Sequence, residues 1–183
     1  MSTLPNSPYH HGDLRRALLE AALIILERDG EAGIQLRDLA RALNVSPGAP
    51  YRHFDSRAAL LESLAVIGFQ RFTRRMEETA SLQPDVMQTA LGHAYVRFAL
   101  DNPGLFRLMF SPQVRKDNRP GLRMAADAAF ATLRHITGDA QDQRIEALSA
   151  WAKVHGLAVL LLDGQIALRP EETHEKLIEA VLR

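Results

Sequence analysis

Five side chains able to hold a phosphate or read a base edge fall close together: Ser46, Tyr51, Arg52, His53 and Arg57. Hydroxyl, imidazole and guanidinium groups are the donors that nucleic-acid backbones and bases accept. The surrounding pattern places them. Residues 36–43 put Leu36, Leu39, Ala40 and Leu43 on one helical face, and Asn44 suits a left-handed helix end. Ser46-Pro47 then reads as an N-cap and a proline in the first turn of a helix ending near Phe54. Two short helices joined this way make a helix-turn-helix, whose second helix presents its N-terminal residues to the major groove. Arg57 falls in the first turn of the next helix, after the cap Asp55-Ser56, where free N–H groups favour a phosphate. Spacing alone leaves a second reading open, a plain helical hairpin whose polar residues are merely solvated.

Other chemistries find little support. With no cysteine, disulfides, thiolate metal sites and cysteine nucleophiles are excluded. His174-Glu175 starts like a zinc-protease motif, but Ile178 stands where the second histidine belongs. His10-His11 has no partner ligands at sensible spacing, and His93 and His155 sit among apolar helix residues as hydrogen-bonded interior groups. There is no phosphate-cradling glycine loop, nucleophile elbow or paired-carboxylate motif. The expectation is therefore no enzyme, no metal site and no cofactor.

The elements that must position the donor cluster are helical. The chain has 183 residues, 46% hydrophobic and 24% charged, a composition typical of globular proteins rather than disordered ones. Its 22 basic residues equal its 22 acidic ones, so any DNA contact rests on local placement rather than bulk charge. Period-two alternation is absent, whereas helical spacing recurs throughout. Leu14, Leu18, Ala21 and Ile25 mark a first helix between a cap at Asp13 and a stop at Gly30. After the motif, Leu60, Leu61, Leu64, Ile67 and Phe72 mark a long fourth helix. Pro84, Asn102-Pro103-Gly104, a polar loop over 111–121, Gly138, Asp142, Asp163 and Pro170 punctuate the remainder. The reading is all-α with about nine helices. Residues 1–10 form an N-terminal arm, 11–60 a helix-turn-helix domain with its motif over 35–54, and 61–183 a helical bundle. No uninterrupted apolar run reaches membrane-spanning length, and residues 1–8 lack the pattern of a signal peptide, so a cytoplasmic location and no membrane partner are expected.

Two segments resemble the TetR family of bacterial transcriptional regulators: residues 9–22, YHHGDLRRALLEAA, and residues 36–54, LRDLARALNVSPGAPYRHF. Residues 102–110, NPGLFRLMF, and Trp151 with His155-Gly156 resemble one C-terminal type in that family. The resemblance implies a homodimer with an N-terminal DNA-binding domain and a C-terminal domain for ligand binding and dimerisation. It implies DNA contacts at Arg37, Ser46, Tyr51, His53 and Arg57, beside the donor at Arg52. Three departures are visible. Gln35 replaces the usual serine or threonine, Pro50 interrupts the recognition helix, and seven arginines within residues 1–60 are balanced by seven acids. Phe54, Leu39 and Val45 read as core.

Aromatic and methionine side chains crowd the later helices, where most must be core while some line an apolar pocket. Phe72, Phe98, Phe110 and Trp151 are the expected walls for a small, largely apolar effector, with Tyr95 and His155 orienting a polar group. The last two helices carry Ile145, Leu148, Leu157, Leu161, Leu177, Ile178, Val181 and Leu182, the expected dimer surface. The expected function is a repressor released from double-stranded operator DNA by that effector. The competing expectation is an all-helical interaction or carrier protein with a structural helix-turn-helix.

Overall fold

A computed structural model describes residues 14–80, 84–114, 119–135 and 141–182. Eight α-helices account for most of them: α1 Leu14–Asp29, α2 Leu36–Ala42, α3 Arg57–Ala80, α4 Pro84–Asp101, α5 Pro103–Phe110, α6 Pro120–His135, α7 Gln141–Leu162 and α8 His174–Leu182. Two single 3-10 turns, Glu31–Gly33 and Pro50–Arg52, complete the described secondary structure. The arm, the cap expected at Asp13 and the pair His10-His11 lie outside the described residues.

The count falls one short of nine because the third expected helix does not form as an α-helix. Pro47 and Pro50 both lack an N–H, so the second cannot donate to the Ser46 carbonyl as an α-helix requires. The backbone closes tighter turns instead, with Ala49 N–H on Ser46 O at 2.9 Å and His53 N–H on Pro50 O at 3.0 Å. Before this segment, Asn44 adopts the expected left-handed conformation with φ of 54°. After it, Ser56 Oγ accepts the N–H of Ala59 at 3.1 Å and caps α3 as expected. Gln35 precedes α2 without a side-chain cap bond, which fits the departure noted there. The last helix starts at His174 rather than Pro170, where the Thr173 hydroxyl accepts the N–H of Lys176 at 3.3 Å.

One contiguous core runs through the molecule. The buried stripe of α1 is Leu14, Leu18, Leu19, Ala22 and Leu26, with Ala21 and Ile25 at its margin. Leu39 and Phe54 meet that stripe in the same core, and Val45 packs at its edge, as read from the sequence. The long helix α3 packs on α1 at its start and against α4, α5 and α6 further along, so a single rod crosses from the helix-turn-helix to the bundle. In turn, α4 packs against α7 and α8.

Candidate DNA-binding face and the cleft behind it

The turn segment between α2 and α3 presents Ser46, Tyr51, Arg52 and His53 to solvent, and Arg37 is exposed at the start of α2. Among the described residues none of these five side chains holds a tertiary hydrogen bond or ion pair, so their donors remain available. Tyr51 is 45% exposed, unusual for an aromatic ring in so small a domain. Their frame is rigid. Pro50 and Phe54 are buried, and the Arg15 guanidinium lies 5.2 Å over the Phe54 ring.

Arg57 departs from this set. Its Nε–H donates to Ile34 O at 2.9 Å, and Nη2 donates to Glu31 O. With these two donors the guanidinium ties the first turn of α3 to the turn after α1. Sequence reasoning found a cation at a helix N-terminus; it had no means of seeing two carbonyls folded against it from over 20 residues away.

The six residues expected around the effector do come together, in one aromatic array. Phe98 stacks edge-on against Phe72 at 5.3 Å between ring centres, Phe72 against Tyr95 at 5.1 Å, and Phe110 against His155 at 4.6 Å. Phe72, Tyr95 and Phe98 are buried there. A hydrogen-bonded chain runs through the array, from Trp151 Nε1–H to Tyr95 Oη at 3.1 Å, with Tyr95 Oη then 2.9 Å from His155 Nδ1. Burial pushes the Tyr95 hydroxyl well above the usual tyrosine range, so it keeps its proton, and burial lowers the pKa of His155.

The open space lies beside this array. A cleft of about 740 Å³ is bounded by the C-terminal end of α1, by α5 and by α7. Phe110 and His155 line it together with Phe106, Val159 and Leu162. The other four expected wall residues do not, and Phe98 instead borders a smaller cavity of about 230 Å³ beside Arg71, Arg74 and Arg75. The spacing that selected these aromatics could not distinguish rings packed on rings from rings facing space.

One wall of the cleft joins the two halves of the protein. The Glu27 carboxylate, on α1, accepts the N–H of Gly104 at 2.8 Å and of Leu105 at 3.0 Å, capping α5 from a different helix. A Cβ added to Gly104 would sit 2.2 Å from the carbonyl oxygen of Leu26, so only glycine lets α5 start this close to α1. Further along, Ser111 Oγ donates to Glu31 at 3.0 Å. Neither Glu27 nor Gly104 stood out in the sequence as a site residue; Gly104 read as a helix breaker within the segment 102–110 that carries the C-terminal resemblance.

The dimer surface expected on the last two helices also divides. Leu157, Leu161 and Ile178 are buried within the chain, and Leu177, Val181 and Leu182 pack against its core. Ile145 and Leu148 are exposed, and so is Leu160, which the sequence reading missed. The stretch Arg144–Leu162 has a mean hydropathy of 1.5, yet only 17% of it is buried. By length and composition it is long enough to cross a membrane, although Glu146 and Lys153 keep it from being an uninterrupted apolar run.

A helix-turn-helix at the head, followed by a helical bundle with an open cleft, defines a class of DNA-binding regulator. Residues 18–64 match the model of bacterial regulatory proteins of the tetR family, and residues 88–183 match the tetracyclin repressor-like C-terminal domain. The chain belongs to the TetR family of transcriptional regulators. It is 34% identical to a solved protein of unknown function from Rhodococcus sp. RHA1, covering 97% of this chain and 95% of that one with a TM-score of 0.82. It is 31% identical over 96 residues to YobS, an uncharacterised HTH-type transcriptional regulator of Bacillus subtilis (strain 168). That match covers 52% of this chain and half of the relative's length. The fold is shared with FadR of Bacillus subtilis, solved in complex with stearoyl-CoA, at 16% identity, 91% and 95% coverage, and a TM-score of 0.68.

Proposed function

We infer that this chain is a cytoplasmic repressor that grips operator DNA as a homodimer and releases it when a small, largely apolar molecule enters the bundle. The observation that carries the reading is the shared wall of the cleft. Helix α1 packs behind the reading face near its N-terminal end, where Arg15 lies over Phe54, and bounds the cleft with its C-terminal end, which is fastened to α5 through Glu27 and Gly104. A ligand that shifts α5 therefore shifts α1. Tyr51, Arg52, His53, Ser46 and Arg37 contact DNA in this reading, while Arg57 positions the head. The effector meets Phe110 and His155 directly; Tyr95 and Trp151 hold His155, and Phe72 and Phe98 back the array. Coupling of about 1–3 kcal/mol, typical of such switches, weakens DNA binding about 5–150-fold.

Assembly follows from α7. Leu148, Ala152, Gly156 and Leu160 recur every fourth residue along it, and nothing lies within 4 Å of a Cβ placed at Gly156. Large residues flanking small ones make a groove into which the same ridge of a second copy fits, giving a two-fold dimer suited to a near-palindromic operator. Retention of the duplex upstream of the chain's own gene, with an unrelated duplex as control, tests the reading. Sequence-specific retention relieved by a cleft ligand supports it. Absence of retention even at low salt favours a helical carrier or interaction protein.

A further inference from the structure

The buried hydrogen-bonded chain fixes what the cleft can offer a ligand. Trp151 Nε1–H only donates, so at the Tyr95 oxygen it occupies an acceptor site. Tyr95 is 1% exposed, and a buried hydroxyl hydrogen needs an acceptor. Among the described residues that acceptor is His155 Nδ1, 2.9 Å away. Nδ1 is then bare, which in a neutral ring puts the proton on Nε2. His155 borders the cleft, and no described residue takes its Nε2–H. Three donors thus stand in series, from Trp151 through Tyr95 to the Nε2–H of a histidine that lines the cleft.

Charge around the same space narrows the ligand further. Four carboxylates line the cleft, Glu27, Asp29, Glu31 and Asp163, against two guanidinium groups, Arg28 and Arg107. Both arginines are ion-paired, to Asp29 and Asp163 at 2.6 Å each, and both are exposed at the rim. An anion entering here meets net negative charge, whereas a neutral acceptor meets the half-buried imidazole between Phe106 and Phe110.

We propose that the cleft takes a neutral molecule with an apolar, aromatic-sized body and one strong hydrogen-bond acceptor, a ketone, ester or amide oxygen, held by His155 Nε2–H. The proposal rests on the ligand-responsive reading above and gives it a ligand class. His155 is the contact residue, and Tyr95 and Trp151 are positioning residues that select its tautomer.

Three probes of one shape test it by calorimetry: 2-acetylnaphthalene, 2-ethylnaphthalene and 2-naphthoate. The ketone should bind the intact protein about tenfold more tightly than the ethyl compound, the scale of one hydrogen bond, and the carboxylate more weakly than both. His155→Phe should abolish the ketone's advantage while keeping affinity for the ethyl compound. In the unaltered protein, ring ¹⁵N shifts should report a bare Nδ1 and a protonated Nε2, with Nε2 moved by the ketone and not by the ethyl compound. Equal affinities for the two neutral probes, a preference that survives His155→Phe, a tighter carboxylate, the opposite tautomer, or no binding of any probe would each overturn the proposal. Release of operator DNA is scored separately. Histidine-dependent ketone binding without release keeps the site and removes the regulatory reading, while release by both neutral probes at equal affinity does the reverse.

Discussion

The proposed DNA-reading face and the cleft wall are built on opposite terms. Between α2 and α3, Tyr51, Arg52 and His53 stand in solvent with no tertiary partner among the described residues, held up by a backbone that two prolines have shaped. Behind them, Glu27, Gly104, Arg57 and Tyr95 are fastened to distant parts of the chain by hydrogen bonds or by contact without room to spare. The first region's side chains add no tertiary hydrogen bond to the described fold and leave their donors open to solvent. In the second, the groups that would transmit a signal are the same ones that hold the fold. Substitutions on the reading face should therefore cost binding alone, and substitutions in the wall should cost stability first.

Gly104→Val gives the sharpest form of this contrast. The new side chain meets the Leu26 backbone rather than a pliable side chain, so α1 and α5 must part. Overpacking of this kind should lower stability by about 3 kcal/mol, measured by urea unfolding, with operator affinity falling alongside. Unchanged stability would mean that the two helices are not locked together here, and the coupling route would lose its basis.

Gly156→Leu tests the opposite limit, a glycine in open space. It should leave the unfolding midpoint of the protomer nearly unchanged yet raise the dimer dissociation constant by about a hundredfold, on the scale of a few kcal/mol for a bulky group in a packed contact. Light scattering across a dilution series reads this directly. Leu157→Asp, a change inside the core, should instead unfold the chain. A Gly156→Leu protein that stays dimeric would move the interface off this stripe of α7.

Two arginines five residues apart divide the same way. Arg52→Ala should flatten the slope of log affinity against log salt by about 0.9, the signature of one phosphate contact, without altering stability. Arg57→Ala should leave that slope nearly unchanged and destabilise the head by about 1–3 kcal/mol, because the Glu31 and Ile34 carbonyls lose a charged donor. A full slope change for Arg57→Ala would return that side chain to the DNA.

What could be read from the sequence follows this division. The all-helical class, an N-terminal helix-turn-helix and the core roles of Leu39 and Phe54 depend on spacing within a few residues, and all were visible in advance. Pro50 was seen to interrupt the recognition helix, and the tight turns that replace it come from the same missing N–H. By contrast, the partners of Arg57 lie 23 and 26 residues away, and those of Glu27 lie 77 and 78 away. Periodicity gathered the right aromatic residues but not their orientation, since Phe72 and Phe110 occupy similar apolar stripes and only Phe110 faces the cleft. Which side of α7 is covered likewise depends on α4, whose contacts with it span 56 and 60 residues of chain at Tyr95–Trp151 and Tyr95–His155.

The smallest expected effect belongs to His155, and its sign follows from linkage. Burial lowers its pKa below the ordinary value of 6.5, so between those two values the unfolded chain binds a proton that the native state refuses. Its neutral form then contributes stability that is fully present above pH 6.5 and is lost as pH falls through the lower native value. The Tyr95 bond acts in the same direction, because a bare Nδ1 is needed to receive it and a protonated ring cannot. Urea midpoints taken from pH 7.5 to pH 5 should therefore fall more steeply for the unaltered protein than for His155→Phe, which has no proton to bind there. Tyr95→Phe should lie between them, since it removes the acceptor requirement but not the burial. Parallel curves for all three proteins would mean that His155 titrates freely, and the tautomer offered to the cleft would then no longer be fixed by Tyr95.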